Sequence, residues 1–292
     1  MRELFTAIVP WATLVYAVSS MLSVGLGHSF SKIIGPLKNW PWMLLALAAN
    51  FLLAPALAYL LDRAFGLDTP HAVGLFLIGS AAGAPFLLKL TQAARGDMAL
   101  AASLLVLLLP LTVVFVPLVL PTVLPEAQVS AGAIARPLVF SMLLPLAAGM
   151  LLRPVAPGFA ARASRPLSDL ATVALVVLLA SIVVADWPEL IGIGARAILA
   201  AFVFILGAFL IGLALGARHR ERRTVLAFGT AQRNIAAATL VATQTFETLP
   251  SVVVMVTAAA VVGMLLLFPL AFGFRWLAVH PGTAGFLRRR HA

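Results

Sequence analysis

The 292-residue sequence contains no cysteine and few charged residues. Asp, Glu, Lys and Arg make up 10% of it, whereas a soluble domain has about 25%. Without cysteine there is no disulfide and no thiolate metal site. The five histidines have no ligand spacing, so we expect no metal site. The sequence also lacks a phosphate-binding glycine loop and a recognisable nucleophile motif, which argues against an ATP-driven pump and an intramembrane enzyme.

Apolar residues dominate the sequence. Hydrophobic residues make up 62% of the chain, and the mean hydropathy is +1.08, which predicts an all-α polytopic membrane protein whose partner is the bilayer. The net charge of +10 does not predict nucleic-acid binding, because the basic residues lie at the ends of apolar segments. The first 23 residues resemble a signal peptide. We expect them to be retained as a span, because the repeat described below requires it.

A bilayer crossing needs roughly 20 mostly apolar residues, and the sequence predicts nine such spans. A short interfacial segment containing Lys32 and Lys38 is expected between the first two. The predicted spans are 4–26, 41–61, 71–93, 98–123, 134–154, 167–185, 193–216, 224–246 and 250–277.

The distribution of basic residues predicts the orientation. With the N-terminus outside, inner segments hold 14 Lys and Arg residues and outer segments hold 4, which leaves Lys89 and Arg233 within spans. By the positive-inside rule this segregation favours an inner-membrane protein with its C-terminus in the cytoplasm.

Two spans are interrupted, and their positions indicate an inverted repeat. Residues 74–95 contain the helix breakers Gly79, Gly83 and Pro85, and residues 224–246 contain the polar sequence GTAQRN. Spans 6–9 follow the pattern of spans 1–4 with an odd offset, so the two sets have opposite orientations. Interrupted spans at corresponding places in two inverted halves indicate the binding site of a secondary transporter.

Polar residues in the interrupted spans are the candidate substrate-binding groups. Arg233 offers planar donors suited to a carboxylate, and we expect it and Asn234 to begin a new half-helix. In the first interrupted span Lys89 and Gln92 are one turn apart. The predicted set is Arg233, Lys89, Gln232, Asn234, Thr230 and Gln92; Asn50 and Ser80 are lesser candidates.

Four segments resemble the bile acid:sodium symporter family across almost the whole chain. They are SMLSVGLGHSFSKI (20–33), HAVGLFLIGSAAGAP (71–85), ARGDMALA (94–101) and GTAQRNIAAATLVA (229–242). The resemblance implies two broken helices that cross in a core domain, about 41–123 and 193–277, which packs against a panel domain, about 4–26 and 134–185. It also implies transport of organic anions such as bile acids or small carboxylates, usually with sodium.

The sequence departs from the family at the sodium ligands that the resemblance implies. Leu87 and Leu88 occupy the places of two polar residues, and Ala227 and Ala231 occupy the places of Glu and Gln. No acidic residue lies in the interior of a predicted span, and Lys89 would repel a cation. We therefore hypothesise that the fixed cations Lys89 and Arg233 take the electrostatic role of the ions.

Together these features predict a secondary carrier of a small organic anion that works by alternating access and is not an enzyme. Transport would be uncoupled, an exchange, or coupled to protons through Lys89. One alternative is conventional sodium symport, with backbone carbonyls, Thr230 and Gln232 as ligands. Another is a membrane sensor or scaffold that has kept the fold and lost transport.

Overall fold

The computed structural model describes residues 2–28, 40–125, 129–185, 187–216, 220–246 and 248–279. All regular structure in these ranges is helical, as predicted. The predicted interfacial segment with Lys32 and Lys38, and the basic tail 288–290, lie outside the described residues.

Twelve helices follow one another in the described ranges. They are α1 (Arg2–Gly27), α2 (Trp40–Phe65), α3 (Thr69–Ser80), α4 (Leu87–Ala93), α5 (Met98–Val123), α6 (Ala131–Val155), α7 (Pro157–Ala185), α8 (Trp187–Gly192), α9 (Gly194–Leu215), α10 (Arg220–Ala231), α11 (Ile235–Thr245) and α12 (Pro250–Val279). Seven of them, α1, α2, α5, α6, α7, α9 and α12, are long and apolar enough to cross a bilayer. The protein is therefore a multi-pass membrane protein.

The two interrupted spans are split into pairs of shorter helices. The first pair is α3 and α4, separated by residues 81–86, and the second is α10 and α11, separated by residues 232–234. Two of the three predicted helix breakers, Gly83 and Pro85, lie in the first interruption, whereas Gly79 still belongs to α3. The second falls later than expected, because Gly229 and Thr230 still belong to α10 and the next helix starts at Ile235. We call these segments the first break and the second break.

Helix α7 also differs from its predicted span, since it begins at Pro157 and not at residue 167. The polar residues Arg162 and Arg165 are thus helical. Their long side chains are exposed at that end of the helix, where they can reach water while the backbone keeps its helical hydrogen bonds.

Helices α2 and α6 each contain a π-helical turn, Ala49–Leu53 and Val139–Leu143. In both, a proline follows two residues later, Pro55 and Pro145. Proline has no N–H and its ring collides with the carbonyl four residues earlier, so the helix widens just before it. In α2 this turn contains Asn50, whose side-chain oxygen accepts a hydrogen bond from Arg233 in the second break.

Some pairs of helices share especially extensive contacts. Helix α1 packs most extensively against α7 and α6, while α9 packs against α10, and α12 packs against α3 and α9. Large apolar side chains such as Trp11, Leu151 and Leu265 are about 70% exposed. Exposed apolar area on this scale is expected where lipid, and not water, surrounds the helices.

Candidate functional site

The first break is shaped by a glycine and held by a threonine of α5. Gly83 has a φ of +77°, and a Cβ added there would lie 2.7 Å from the backbone nitrogen of Leu109. Another side chain would therefore strain the backbone and collide with α5. The Thr112 hydroxyl accepts a hydrogen bond from Ala82 N at 3.0 Å and donates one to Ala82 O at 3.0 Å.

The second break docks directly onto the first. Asn234 donates its backbone N–H to Ala81 O at 2.8 Å and its side-chain Nδ2 to Gly83 O at 3.0 Å. Its Oδ1 accepts from Ala237 N at 3.1 Å and so caps the N-terminus of α11. One fully buried side chain thus starts a helix and links the two breaks.

Arg233 lies at this junction and is 2% exposed. Its Nε donates to Ile78 O at 3.1 Å, and one Nη donates to Gly79 O at 2.6 Å. The other Nη donates to Asn50 Oδ1 at 2.7 Å and to Thr230 O at 3.1 Å. Four of the five N–H groups of the guanidinium are therefore directed at protein oxygens.

The other predicted residues of the second break are also buried. Gln232 is 3% exposed and its Nε2 approaches Arg233 O at 3.4 Å. Thr230 is fully buried, and its hydroxyl has no hydrogen-bond partner among the described residues. The structure thus brings Thr230, Gln232, Arg233 and Asn234 together around the contact between the breaks.

A cavity of about 280 Å³ lies elsewhere, between the first break and the α1–α7 pair. We call it the α1–α7 cavity. The described residues that line it include hydroxyl-bearing and cationic side chains but no Asp or Glu. The lining consists of Tyr16, Ser20, Ser23, Val24, Gly27, His28, Pro85, Phe86, Leu88, Lys89, Ser164, Arg165, Ser168, Ala171, Thr172 and Leu175.

Lys89 is the predicted residue that faces this cavity. It is half-buried, and its ammonium donates to the Thr172 hydroxyl of α7, which in turn donates to Ser168 O at 2.8 Å. No carboxylate pairs with Lys89 among the described residues. A partly buried cation whose protein partner is a neutral hydroxyl favours an anion beside it.

Lys89 and Gln92 are separated from the other predicted residues. Gln92 is exposed on α4 and does not line the cavity, although it follows Lys89 by three residues. Neither side chain forms a hydrogen bond with the cluster at the second break. The expectation that these six residues bind substrate stays a prediction.

The cavity contains residues that the sequence reasoning missed. The main ones are His28, the exposed Arg165, and the hydroxyls of Ser20, Ser23 and Thr172. A signal was available in α7, because Ser164, Ser168 and Thr172 recur every fourth residue and so share one helix face. The sequence offered no means of pairing that face with α1 or with Lys89.

Comparison with known proteins identifies the family. Residues 14–192, more than half of the chain, match the sequence model of the Sodium Bile acid symporter family. No curated protein matches the chain. The members of that family are transporters and not enzymes. A helical protein of several membrane-spanning segments, with two broken helices in contact, is compatible with that class. The chain therefore belongs to the sodium bile acid symporter family of membrane transporters.

Proposed function

We propose that the protein is a secondary carrier that moves a small organic anion across the inner membrane by alternating access. The α1–α7 cavity is its anion site. The observation that carries this proposal is Lys89, a half-buried cation on the cavity wall that has a hydroxyl and no carboxylate as its partner among the described residues. Arg165 and His28 also line the cavity, where Arg165 adds a positive charge and both side chains offer polar groups for an anion.

The size and lining of the cavity favour a small substrate. Its volume of about 280 Å³ is just below the roughly 300–1,000 Å³ found for small-molecule pockets. Hydroxyls from α1 and α7 can donate to carboxylate oxygens, and Phe86, Leu175 and Val24 supply an apolar wall. These features fit a short carboxylate better than a steroid.

We further propose that each broken pair completes one crossing, which gives nine spans in an inverted repeat. The corresponding positions of the α3–α4 and α10–α11 pairs support this assignment. The packing of α1 against α6 and α7 supports the division into a panel, about 4–26 and 134–185, and a core, about 41–123 and 193–277. Movement of the core against the panel would open the cavity to each side in turn.

The proposed orientation is N-terminus outside and C-terminus in the cytoplasm. Under it, the C-terminal end of α1 and the N-terminal end of α7 both face the cytoplasm. Gly27, His28, Ser164 and Arg165 line the cavity at those ends, so the described conformation would be open to the inside.

Transport in this proposal does not require sodium. Ala227 and Ala231, which occupy the places of implied sodium ligands, are fully buried, as is Leu87. Apolar side chains cannot coordinate a hard cation, which takes oxygen ligands. The anion would move alone, in exchange for another anion, or with a proton.

Sodium symport is the second candidate function, because the Thr230 hydroxyl oxygen could bind a sodium ion. The Thr230 hydroxyl is buried beside the second break with no partner among the described residues, and a hydroxyl oxygen is an acceptable sodium ligand. Gln232 and nearby carbonyls would complete such a site.

Uptake into proteoliposomes tests the proposal. We expect one or more of pyruvate, succinate, citrate and benzoate to be taken up more readily than cholate. In that assay Lys89→Met should lower uptake by roughly tenfold or more, since a hydrogen bond to a charged group contributes about 1.5–3 kcal/mol. Lys89→Arg should retain part of the activity. Arg136→Met, which removes an exposed cation outside the cavity, is the matched control and should transport normally.

The same vesicles distinguish the alternatives. Uptake that is equal with and without an inward sodium gradient supports the proposal, and clear stimulation by sodium would favour symport. Binding of an anion without uptake would indicate a sensor or scaffold. Full activity of Lys89→Met would refute the role of the cavity.

A further inference from the structure

Three of the four oxygens around Arg233 are backbone carbonyls at helix ends, where helices leave such groups unpaired. Helix α3 ends at Ser80, and the last four carbonyls of a helix have no partner within it. Two of those four, Ile78 O and Gly79 O, accept from the Arg233 guanidinium. The side chain thus completes the C-terminal end of α3.

A second helix end contributes in the same way. Thr230 is the second-last residue of α10, and its carbonyl also accepts from Arg233. The fourth oxygen is Asn50 Oδ1, from the π turn of α2. Asn50 donates its own Nδ2 to Ala46 O at 3.0 Å, which fixes the side chain with its oxygen toward the guanidinium.

Within the part of the chain that the structure describes, the negative partners of Arg233 are helix ends and not an acidic residue. A helix C-terminus carries the equivalent of roughly −0.5 elementary charge, and the carbonyls of two of them accept from the guanidinium. They offset part of its positive charge. No carboxylate pairs with Arg233 among the described residues, and the group is 2% exposed, so these oxygens are the partners that make its burial tolerable.

We propose that the ends of α3 and α10 together with Asn50 form a cation site, and that Arg233 fills this site permanently as a tethered cation. Arg233 is a positioning residue in this proposal: it holds α2, α3 and α10 at the contact between the breaks. The inference goes beyond the proposed anion transport, because it concerns a site that the substrate does not need to touch.

The site predicts rescue by a free ion. Arg233→Ala leaves the four oxygens in place and vacates the space of the guanidinium. We expect the purified variant in detergent to unfold roughly 5 °C or more below the parent protein. Guanidinium chloride at about 10 mM, far below the molar range in which it denatures proteins, should restore most of the loss. Tetramethylammonium chloride at the same concentration, which has no N–H donors, should not.

Two further variants serve as controls. Arg233→Met fills the space with a neutral chain, so it should be destabilised and should not respond to guanidinium. Arg233→Lys keeps the charge and should be more stable than Arg233→Met. If Arg233→Ala cannot be extracted in folded form, recovery of folded protein is compared between the Lys and Met variants.

The outcomes separate clearly. The tethered cation is supported if guanidinium, but not tetramethylammonium, restores the thermal stability of the Ala variant. It is also supported if the Lys variant folds better than the Met variant. A Met variant as stable as the parent, or an extractable Ala variant that guanidinium does not restore, overturns it. A Lys variant no better than Met overturns it as well. Thermal unfolding requires no substrate, so the result is independent of whether the protein carries an organic anion.

Discussion

At the scale of single residues, the two cations predicted within spans occupy opposite environments. Arg233 is buried and four of its N–H groups donate to oxygens of α2, α3 and α10. Lys89 is half-buried beside a cavity, and its described partner is the Thr172 hydroxyl. A cation whose donors are already used stabilises the fold, whereas one with donors to spare can bind an incoming anion. The same reasoning had placed both in one substrate site.

Gly83→Ala tests how tightly the first break is built. The new methyl group would lie 2.7 Å from Leu109 N, and the residue would have to keep a φ of +77°. We expect a loss of about 2 kcal/mol or more in stability, measured as a lower midpoint of thermal unfolding. Gly132→Ala is the control, since nothing lies within 4 Å of its added Cβ. Equal stability of the two variants would contradict the close approach of the break to α5.

At the scale of elements, the breaks are held by side chains of continuous helices. Thr112 of α5 binds the Ala82 peptide, and Asn50 of α2 reaches the second break through Arg233. Irregular backbone inside a membrane protein needs such partners, because lipid offers no hydrogen bonds. Both broken pairs therefore depend on the helices beside them.

Thr112→Val should loosen the first break while keeping the shape of the side chain. The substitution removes both hydrogen bonds to Ala82, and we expect a loss of about 1–2 kcal/mol. Thr122→Val on the same helix is the control; its exposed hydroxyl bonds within its own helix to Val119 O, so the change should stay within about 0.5 kcal/mol. Thermal unfolding of the two purified variants side by side measures the difference. A Thr112 variant as stable as the Thr122 variant would show that the hydrogen bonds between Thr112 and Ala82 do not stabilise the first break.

At the scale of the whole molecule, the proposed topology links the basic residues to the cavity. In that topology, helix α1 ends, and α7 begins, on the side that carries most of the Lys and Arg residues. The lining of the cavity includes residues at these two ends. Under the proposed topology and transport, the cavity would therefore exchange its anion with the cytoplasm.

Single cysteines test this topology without background, since the chain has none of its own. Gly132→Cys and Ala161→Cys each place a thiol at an exposed position, in a predicted outer and a predicted inner segment respectively. In right-side-out vesicles a membrane-impermeant maleimide should label the first, and should label the second after permeabilisation. The reverse pattern, or labelling of both from one side, would refute the N-out orientation.

Much of the architecture followed from patterns that do not depend on packing. The seven long helices lie close to predicted spans because the length of an apolar run and the thickness of a bilayer are directly related. The first break was predictable from Gly83 and Pro85, since such residues weaken a helix locally, although Gly79 remained helical. The N-terminal extension of α7 was missed because polar residues at a helix end resemble a loop in hydropathy.

Apolar length, helix breakers and short motifs are local properties. They therefore suffice to predict from the amino-acid sequence that this chain is helical, crosses the membrane several times and resembles the symporter family. The environments of the two cations depend on tertiary packing. Whether a buried charge meets carbonyl ends or a cavity depends on which helices pack beside it, and no spacing along the chain encodes that. Arg233 donates hydrogen bonds to carbonyls at the ends of α3 and α10, whereas Lys89 lies beside the cavity and donates to a hydroxyl of α7.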